Sequence, residues 1–82
     1  YLIRDVIDLY PNPASANLKV QTKGRIPGER NVKIFSLNGD LKMETITSSD
    51  DFSFDISQLL PGVYFLEISN GTEKSITKFI KQ

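Results

Sequence analysis

The chain has 82 residues, of which 39% are hydrophobic, and its 10 Lys and Arg residues balance 10 Asp and Glu residues to a formal net charge of zero. This length suits one domain, and the hydrophobic share is too high for a disordered tail. The balanced charge argues against a nucleic-acid partner, and the absence of any apolar run near the ~20 residues of a spanning helix argues against membrane insertion.

Short apolar and polar alternations run along the sequence and are broken by Gly, Pro, Asn and Asp. This pattern is typical of an all-β sandwich or barrel, and no long stretch has a helical period. We predict about seven strands, at Val6–Tyr10, Asn17–Thr22, Val32–Leu37, Leu41–Thr47, Phe52–Ile56, Val63–Ser69 and Lys74–Lys81.

Turn signals separate these strands. Pro11 and Pro13 lack a backbone N–H group and stop the first strand. Asn38-Gly39 and Asn70-Gly71 offer the positive-φ residues of tight hairpins. The hairpins predict that the third and fourth strands, and the last two, pair antiparallel.

The segment Leu59–Tyr64 resembles the corner of immunoglobulin-like sandwiches, in which a Tyr near a strand start binds upstream backbone through its hydroxyl group. A buried Tyr hydroxyl needs such a partner, because an unpaired one costs about 1–3 kcal/mol. We therefore predict that Tyr64 packs its ring in the core and anchors this corner.

The sequence contains few residues of the types that commonly act in catalysis. The chain has no His and no Cys, which excludes Ser-His-Asp and Cys-His nucleophiles and His-based or thiolate metal sites. Asp50 and Asp51 are adjacent in a polar turn, where carboxylates usually cap backbone N–H groups and stay solvated. We expect no enzyme activity, no metal and no cofactor.

The aromatic residues leave two interpretations open. An exposed row of Phe and Tyr on a small sandwich would suit sugar binding, although the chain has no Trp. Most of these residues fall at alternating strand positions that suit a core, which is the interpretation we favour.

The last predicted strand is basic, with Lys74, Lys78 and Lys81 among apolar residues. Lysines on an edge strand protect it from aggregation. The same strand could instead dock onto a receptor through its free edge and positive side chains.

Four motifs occur in order along the chain: Tyr10–Pro13, Val32–Gly39, Asp55–Leu66 and Lys78–Lys81. Together they resemble the type A C-terminal sorting domain of the type IX secretion system of Bacteroidetes. The resemblance covers nearly the whole chain and implies an immunoglobulin-like antiparallel β-sandwich. It also implies that residues 6–82 are the sorting domain and residues 1–5 the end of a linker from an upstream cargo protein.

The resemblance implies a function as well. The cargo would be exported to the periplasm, pass the outer-membrane type IX translocon, and reach the cell surface or medium, where a sortase-like peptidase would remove the domain. Recognition in that family is associated with the last strand and a Gly-x-Tyr segment. The matching residues here are Gly62, Tyr64, Lys78, Phe79, Ile80 and Lys81.

One alternative comes from another class of function. A carbohydrate-binding module or a fibronectin type III-like spacer of a secreted enzyme would have the same fold. Such a module can sit anywhere in its parent chain, whereas a sorting label belongs at the end.

Overall fold

The computed structural model describes residues 7–23 and 26–82. They form seven strands, and the predicted strand positions are confirmed: β1 Ile7–Tyr10, β2 Asn17–Thr22, β3 Arg30–Ser36, β4 Leu41–Thr47, β5 Asp51–Asp55, β6 Gly62–Ser69 and β7 Lys74–Lys81. The main difference is that β3 begins at Arg30 rather than at Val32. The predicted linker, residues 1–5, and the predicted first strand residue Val6 lie outside the described residues.

The strands form two sheets. One has the order β1-β2-β5 and the other the order β4-β3-β6-β7, and all pairings between strands are antiparallel. The sheets pack as a sandwich, so the prediction of an all-β, immunoglobulin-like fold is confirmed. No helix that could span a membrane occurs in the described part of the chain.

The core lies between the sheets and follows from the alternation of side chains along each strand. In β2 only the side chains of Leu18, Val20 and Thr22 are buried. β6 alternates in the same way through Tyr64, Leu66 and Ile68. The other buried apolar side chains are Ile7, Ala14, Ile26, Val32, Ile34, Phe54, Ile56 and Phe79.

Both predicted hairpins are present. Gly39 has a φ of 91°, and its N–H donates to the Ser36 carbonyl oxygen at 2.9 Å, which closes a three-residue loop. In the β6–β7 hairpin, Asn70 Oδ1 accepts the Glu73 N–H at 2.8 Å, and Asn70 Nδ2 donates to the Pro27 carbonyl oxygen at 3.1 Å. The Asn70 side chain therefore also fastens this hairpin to the β2–β3 loop.

A buried arginine closes one end of the sandwich. Arg30 is 1% exposed, and its Nη1 donates to Thr22 Oγ1 at 3.1 Å and to Asp50 Oδ1 at 3.0 Å. Nη1 also contacts the Ile26 carbonyl oxygen, and Nη2 donates to that of Ser49. One guanidinium group thus joins β2, the β2–β3 loop and the β4–β5 loop.

Candidate recognition surface on the last strand

The six residues matched to the recognition motifs meet where β6 begins and β7 ends. In the pairing of β6 with β7, Gly62 lies opposite Lys81 and Tyr64 opposite Phe79. Because β7 lies at the edge of its sheet, it is bound on one side by β6. The Gly-x-Tyr segment and the last strand are therefore one structural unit.

The side chains of β7 alternate between the core and the outer face of the sheet. Ser75, Phe79 and Lys81 are buried, whereas Lys78 and Ile80 are exposed. The predicted recognition residues of β7 are thus divided: the folded domain presents Lys78 and Ile80 to solvent and directs Phe79 and Lys81 inward.

Tyr64 holds the start of β6. Its hydroxyl group donates to the Leu60 carbonyl oxygen at 2.5 Å, and its ring stacks on Phe79 with centroids 5.6 Å apart and planes 21° apart. The ring is only 6% exposed, so the predicted tyrosine corner is confirmed. Gly62 begins the strand with a φ of 155°, a backbone conformation that residues with a Cβ atom rarely adopt.

Lys81 is unusual for a lysine because it is only 8% exposed. Lysine is rarely buried without a partner, and here its Nζ donates to the backbone oxygen of Gln82 at 2.8 Å. The ammonium group is therefore used within the domain, and Lys78 is the basic residue of this motif that is available to a partner.

The end of β7 is covered by the segment that follows β1. Ala14 N–H donates to the Ile80 oxygen at 2.8 Å, and Gln82 N–H donates to the Ala14 oxygen at 2.7 Å. The Ile80 N–H donates to Asn12 Oδ1 at 3.0 Å. The expectation of a free edge is therefore wrong for this end of the strand, because residues 12–14 occupy it.

The rest of the β7 edge is open. The backbone groups of Ile80 point away from β6, and backbone direction alternates along an antiparallel strand. The N–H and C=O groups of Lys78 and Ile76 therefore point away from β6 as well. Within residues 7–23 and 26–82 these groups meet no backbone partner, so they are available to an added strand.

The aromatic residues are only partly in the core. Tyr64, Phe54 and Phe79 are buried as predicted, but Phe35 and Phe65 are half-buried and lie opposite each other on the outer face of the four-stranded sheet. These two residues are exceptions to the expectation that most of the aromatic residues pack in the core. Sequence reasoning also missed Arg30, although it is in phase with the inward-facing Val32 and Ile34.

The described residues hold no group of three or more acidic, His or Cys side chains that could bind a metal ion.

Comparison with curated proteins finds no match. The family model described as a secretion system C-terminal sorting domain matches residues 8–82, which is nearly the whole chain. The chain therefore belongs to the family of C-terminal sorting domains that serve as signals for type IX secretion.

Proposed function

We propose that this domain is a non-catalytic export label joined to a larger cargo protein. A sorting signal of this family directs export toward the cell surface or the extracellular space. The cargo would wait in the periplasm, the outer-membrane type IX translocon would engage the folded domain, and a sortase-like peptidase at the surface would then cleave it off.

The open edge of β7 is the observation that supports recognition at this strand. The backbone groups of Ile76 and Lys78 can bind an added strand, the mode known as β-augmentation. Most sheet edges are blunted by bulges or covering loops because an open edge invites pairing. On the opposite edge of the same sheet, β4 carries a register shift next to Leu41, so β7 is the better edge for pairing.

The six recognition residues would act in two groups. Lys78 and Ile80 face solvent and would contact the partner. Tyr64, Phe79 and Gly62 would fix the position of β7 against β6, and Lys81 is buried at the end of the strand. Substitutions in this second group should weaken export because they displace β7, and their effect should track the stability of the domain.

A proline substitution tests the edge. Ile76→Pro removes an N–H group that points away from β6, so the pairing with β6 is kept. Ile76→Ala is the matched control, because it removes the side chain and keeps the N–H group. In a type IX-competent bacterium, a signal-peptide–fluorescent protein–domain fusion carrying Ile76→Pro should be exported about tenfold less than the fusion carrying Ile76→Ala. Equal export of the two folded variants would contradict recognition at this edge.

Glycan binding is a second candidate, supported by a groove on the other sheet. A shallow cavity of about 310 Å³ is lined by Tyr10, Lys19, Asp51, Phe52 and Ser53, with Val20 at its base. Tyr10 is 46% exposed and supplies an aromatic face beside hydrogen-bonding groups. A glycan array would test this function: binding lost in Tyr10→Ala would support it, and a flat array would contradict it.

A further inference from the structure

The two outer faces of the sandwich carry opposite charge, although the chain as a whole is neutral. On the three-stranded sheet the outward positions hold Asp8, Asp51 and Asp55 against Lys19, and Lys23, just after β2, has its Nζ 3.7 Å from Asp8, which leaves an excess of carboxylates on this face. The outer face of the four-stranded sheet has an excess of lysines, which are Lys33, Lys42, Lys74 and Lys78, over the glutamates Glu44 and Glu67.

The basic face also holds an apolar stripe. Phe35 of β3 lies between Leu41 of β4 and Phe65 of β6, and Lys78 of β7 follows Phe65 in the same row. Val63 and Ile80 extend the apolar surface in the next row. We call these six residues, together with Lys42, the Phe stripe.

The Phe stripe is accessible. Leu41 is 50% exposed and Ile80 is 42% exposed, while Phe35 and Phe65 are half-buried by their neighbours in the sheet. No other strand of the described chain packs over this face. Contiguous apolar surface of this kind on a small domain marks an interaction site.

Among the four lysines of the basic face, the two at the ends of the stripe form no ion pair within the described part of the chain. Lys33 Nζ lies 3.9 Å from a Glu44 carboxylate oxygen, and Lys74 Nζ lies 3.7 Å from one of Glu67. Lys42 and Lys78 have no carboxylate partner in the described part of the chain. They lie on β4 and β7, three strand spacings or roughly 14 Å apart across the sheet.

A second copy of the chain fits this surface poorly. Two copies packed with these faces together would bring like charges together. The acidic face of another copy could match the lysines, but its outward apolar contribution is Tyr10, so it would leave most of the stripe uncovered. An anionic membrane would meet Glu44 and Glu67 in the same face as the lysines.

We infer that the Phe stripe docks a segment of a partner protein that has apolar side chains at its centre and carboxylates roughly 14 Å apart at its ends. The inference rests on the proposed function, since the partner is taken to be a protein of the export machinery. It adds a side-chain surface to the backbone edge of β7, and Lys78 belongs to both.

Charge reversal tests the inference with little risk to the fold, because the lysines are exposed. In the export assay, the double variant Lys42→Glu, Lys78→Glu should fall about tenfold below wild type. Lys23→Glu, at an exposed lysine beside the opposite face, is the matched control and should match wild type. Phe35→Ser with Phe65→Ser should also reduce export, whereas Ile46→Ser, an exposed apolar residue on the same sheet outside the stripe, should not. Thermal unfolding would establish that each variant is folded.

A photocrosslinker placed at Phe65 in exporting cells should capture a translocon protein through a segment with paired carboxylates. If the wild-type fusion and the folded Lys42→Glu, Lys78→Glu variant are exported equally well, the inference about the Phe stripe is wrong and the proposed function is unaffected. Failure of the wild-type fusion to be exported would overturn the proposed function and the stripe with it. Two other results would overturn the inference by assigning the Phe stripe to another occupant. One is a wild-type dimer in sedimentation that becomes a monomer in Phe35→Ser. The other is binding of the wild type to anionic phospholipid vesicles that the double charge reversal abolishes.

Discussion

Tyr64 and Phe79 lie directly opposite each other on β6 and β7, with their rings stacked 5.6 Å apart. The two motifs predicted to carry recognition are therefore joined in the core, on consecutive strands of one hairpin. A change in the Gly-x-Tyr segment reaches the last strand through this contact. A substitution of the buried Tyr64 is therefore expected to disturb the surface of β7 although Tyr64 does not belong to that surface.

The Tyr64 hydroxyl group can be removed without changing the ring. Tyr64→Phe keeps the stacking on Phe79 and loses the hydrogen bond to Leu60, so we expect the free energy of unfolding to fall by about 0.5–1.5 kcal/mol. Urea denaturation measures this change. Tyr10→Phe, at a half-exposed tyrosine, is the control and should have little effect. Unchanged stability of Tyr64→Phe would show that the corner does not depend on its hydrogen bond.

Arg30 should be the most costly charged residue to remove. Arg30→Met keeps the apolar volume but leaves the Thr22 hydroxyl group and the Ser49 carbonyl group without their donor. Hydrogen bonds to charged groups contribute about 1.5–3 kcal/mol, so we expect a loss of about 2–3 kcal/mol. Lys33→Met is the control, because its surface pair with Glu44 contributes at most about 1 kcal/mol. Similar losses in the two variants would contradict the role of Arg30 as a buried link.

Asp50 makes part of this link depend on pH. Hydrogen bonds from the Thr22 hydroxyl group and from Arg30 hold the pKa of the Asp50 carboxyl group below its ordinary value of 3.8. Because the pKa is lower in the folded state, Asp50 stabilises the domain above its unfolded pKa, and this contribution is lost as pH falls through its folded pKa.

NMR titration of the Asp50 carboxyl carbon checks the pKa. We expect a titration below 3.8 in the wild type and a higher midpoint in Thr22→Val, which removes the main cause of the shift. In denaturation experiments, the advantage of wild type over Asp50→Asn should shrink as pH falls below about 4. A constant difference at all pH values would be incompatible with this assignment.

Hydrogen exchange measures the open edge of β7 directly. The Ile76 and Lys78 amides should exchange fast, because they point away from β6, and the Ile80 amide should be slower because Asn12 accepts its hydrogen bond. The protected amides should be Ser75, Thr77 and Phe79. Asn12→Ala should speed exchange at Ile80 and leave Phe79 unchanged. Protection of Ile76 and Lys78 equal to that of Phe79 would show that the edge is covered.

Local patterns were enough to predict the strands, the hairpins and the tyrosine corner. Alternation places β2 and β6, and Asn38-Gly39 closes its hairpin with neighbours in sequence. The corner also depends on a local contact, since Leu60 is near Tyr64 in the chain.

The remaining features depend on contacts between distant residues. The end of β7 is covered because Asn12 accepts a hydrogen bond from Ile80, and Arg30 donates a hydrogen bond to Asp50. Each contact joins residues far apart in the chain, so neither pairing produces a periodic pattern in the sequence. Phe35 is in phase with Lys33 rather than with Val32 and Ile34, so the alternation in β3 places it on the outer face, and the general preference of aromatic residues for a core did not apply to it. An arginine in phase with Val32 and Ile34 was the available signal for the buried link.

We claim that this domain alone can direct export. The most direct test is a fluorescent protein with an N-terminal signal peptide and residues 1–82 at its C-terminus, expressed in a type IX-competent bacterium and in a translocon-deficient strain. We expect fluorescence at the surface or in the medium of the first strain and its retention in the periplasm of the second. Folded fusion protein that stays in the periplasm of the competent strain would contradict the claim and favour a binding or spacer module.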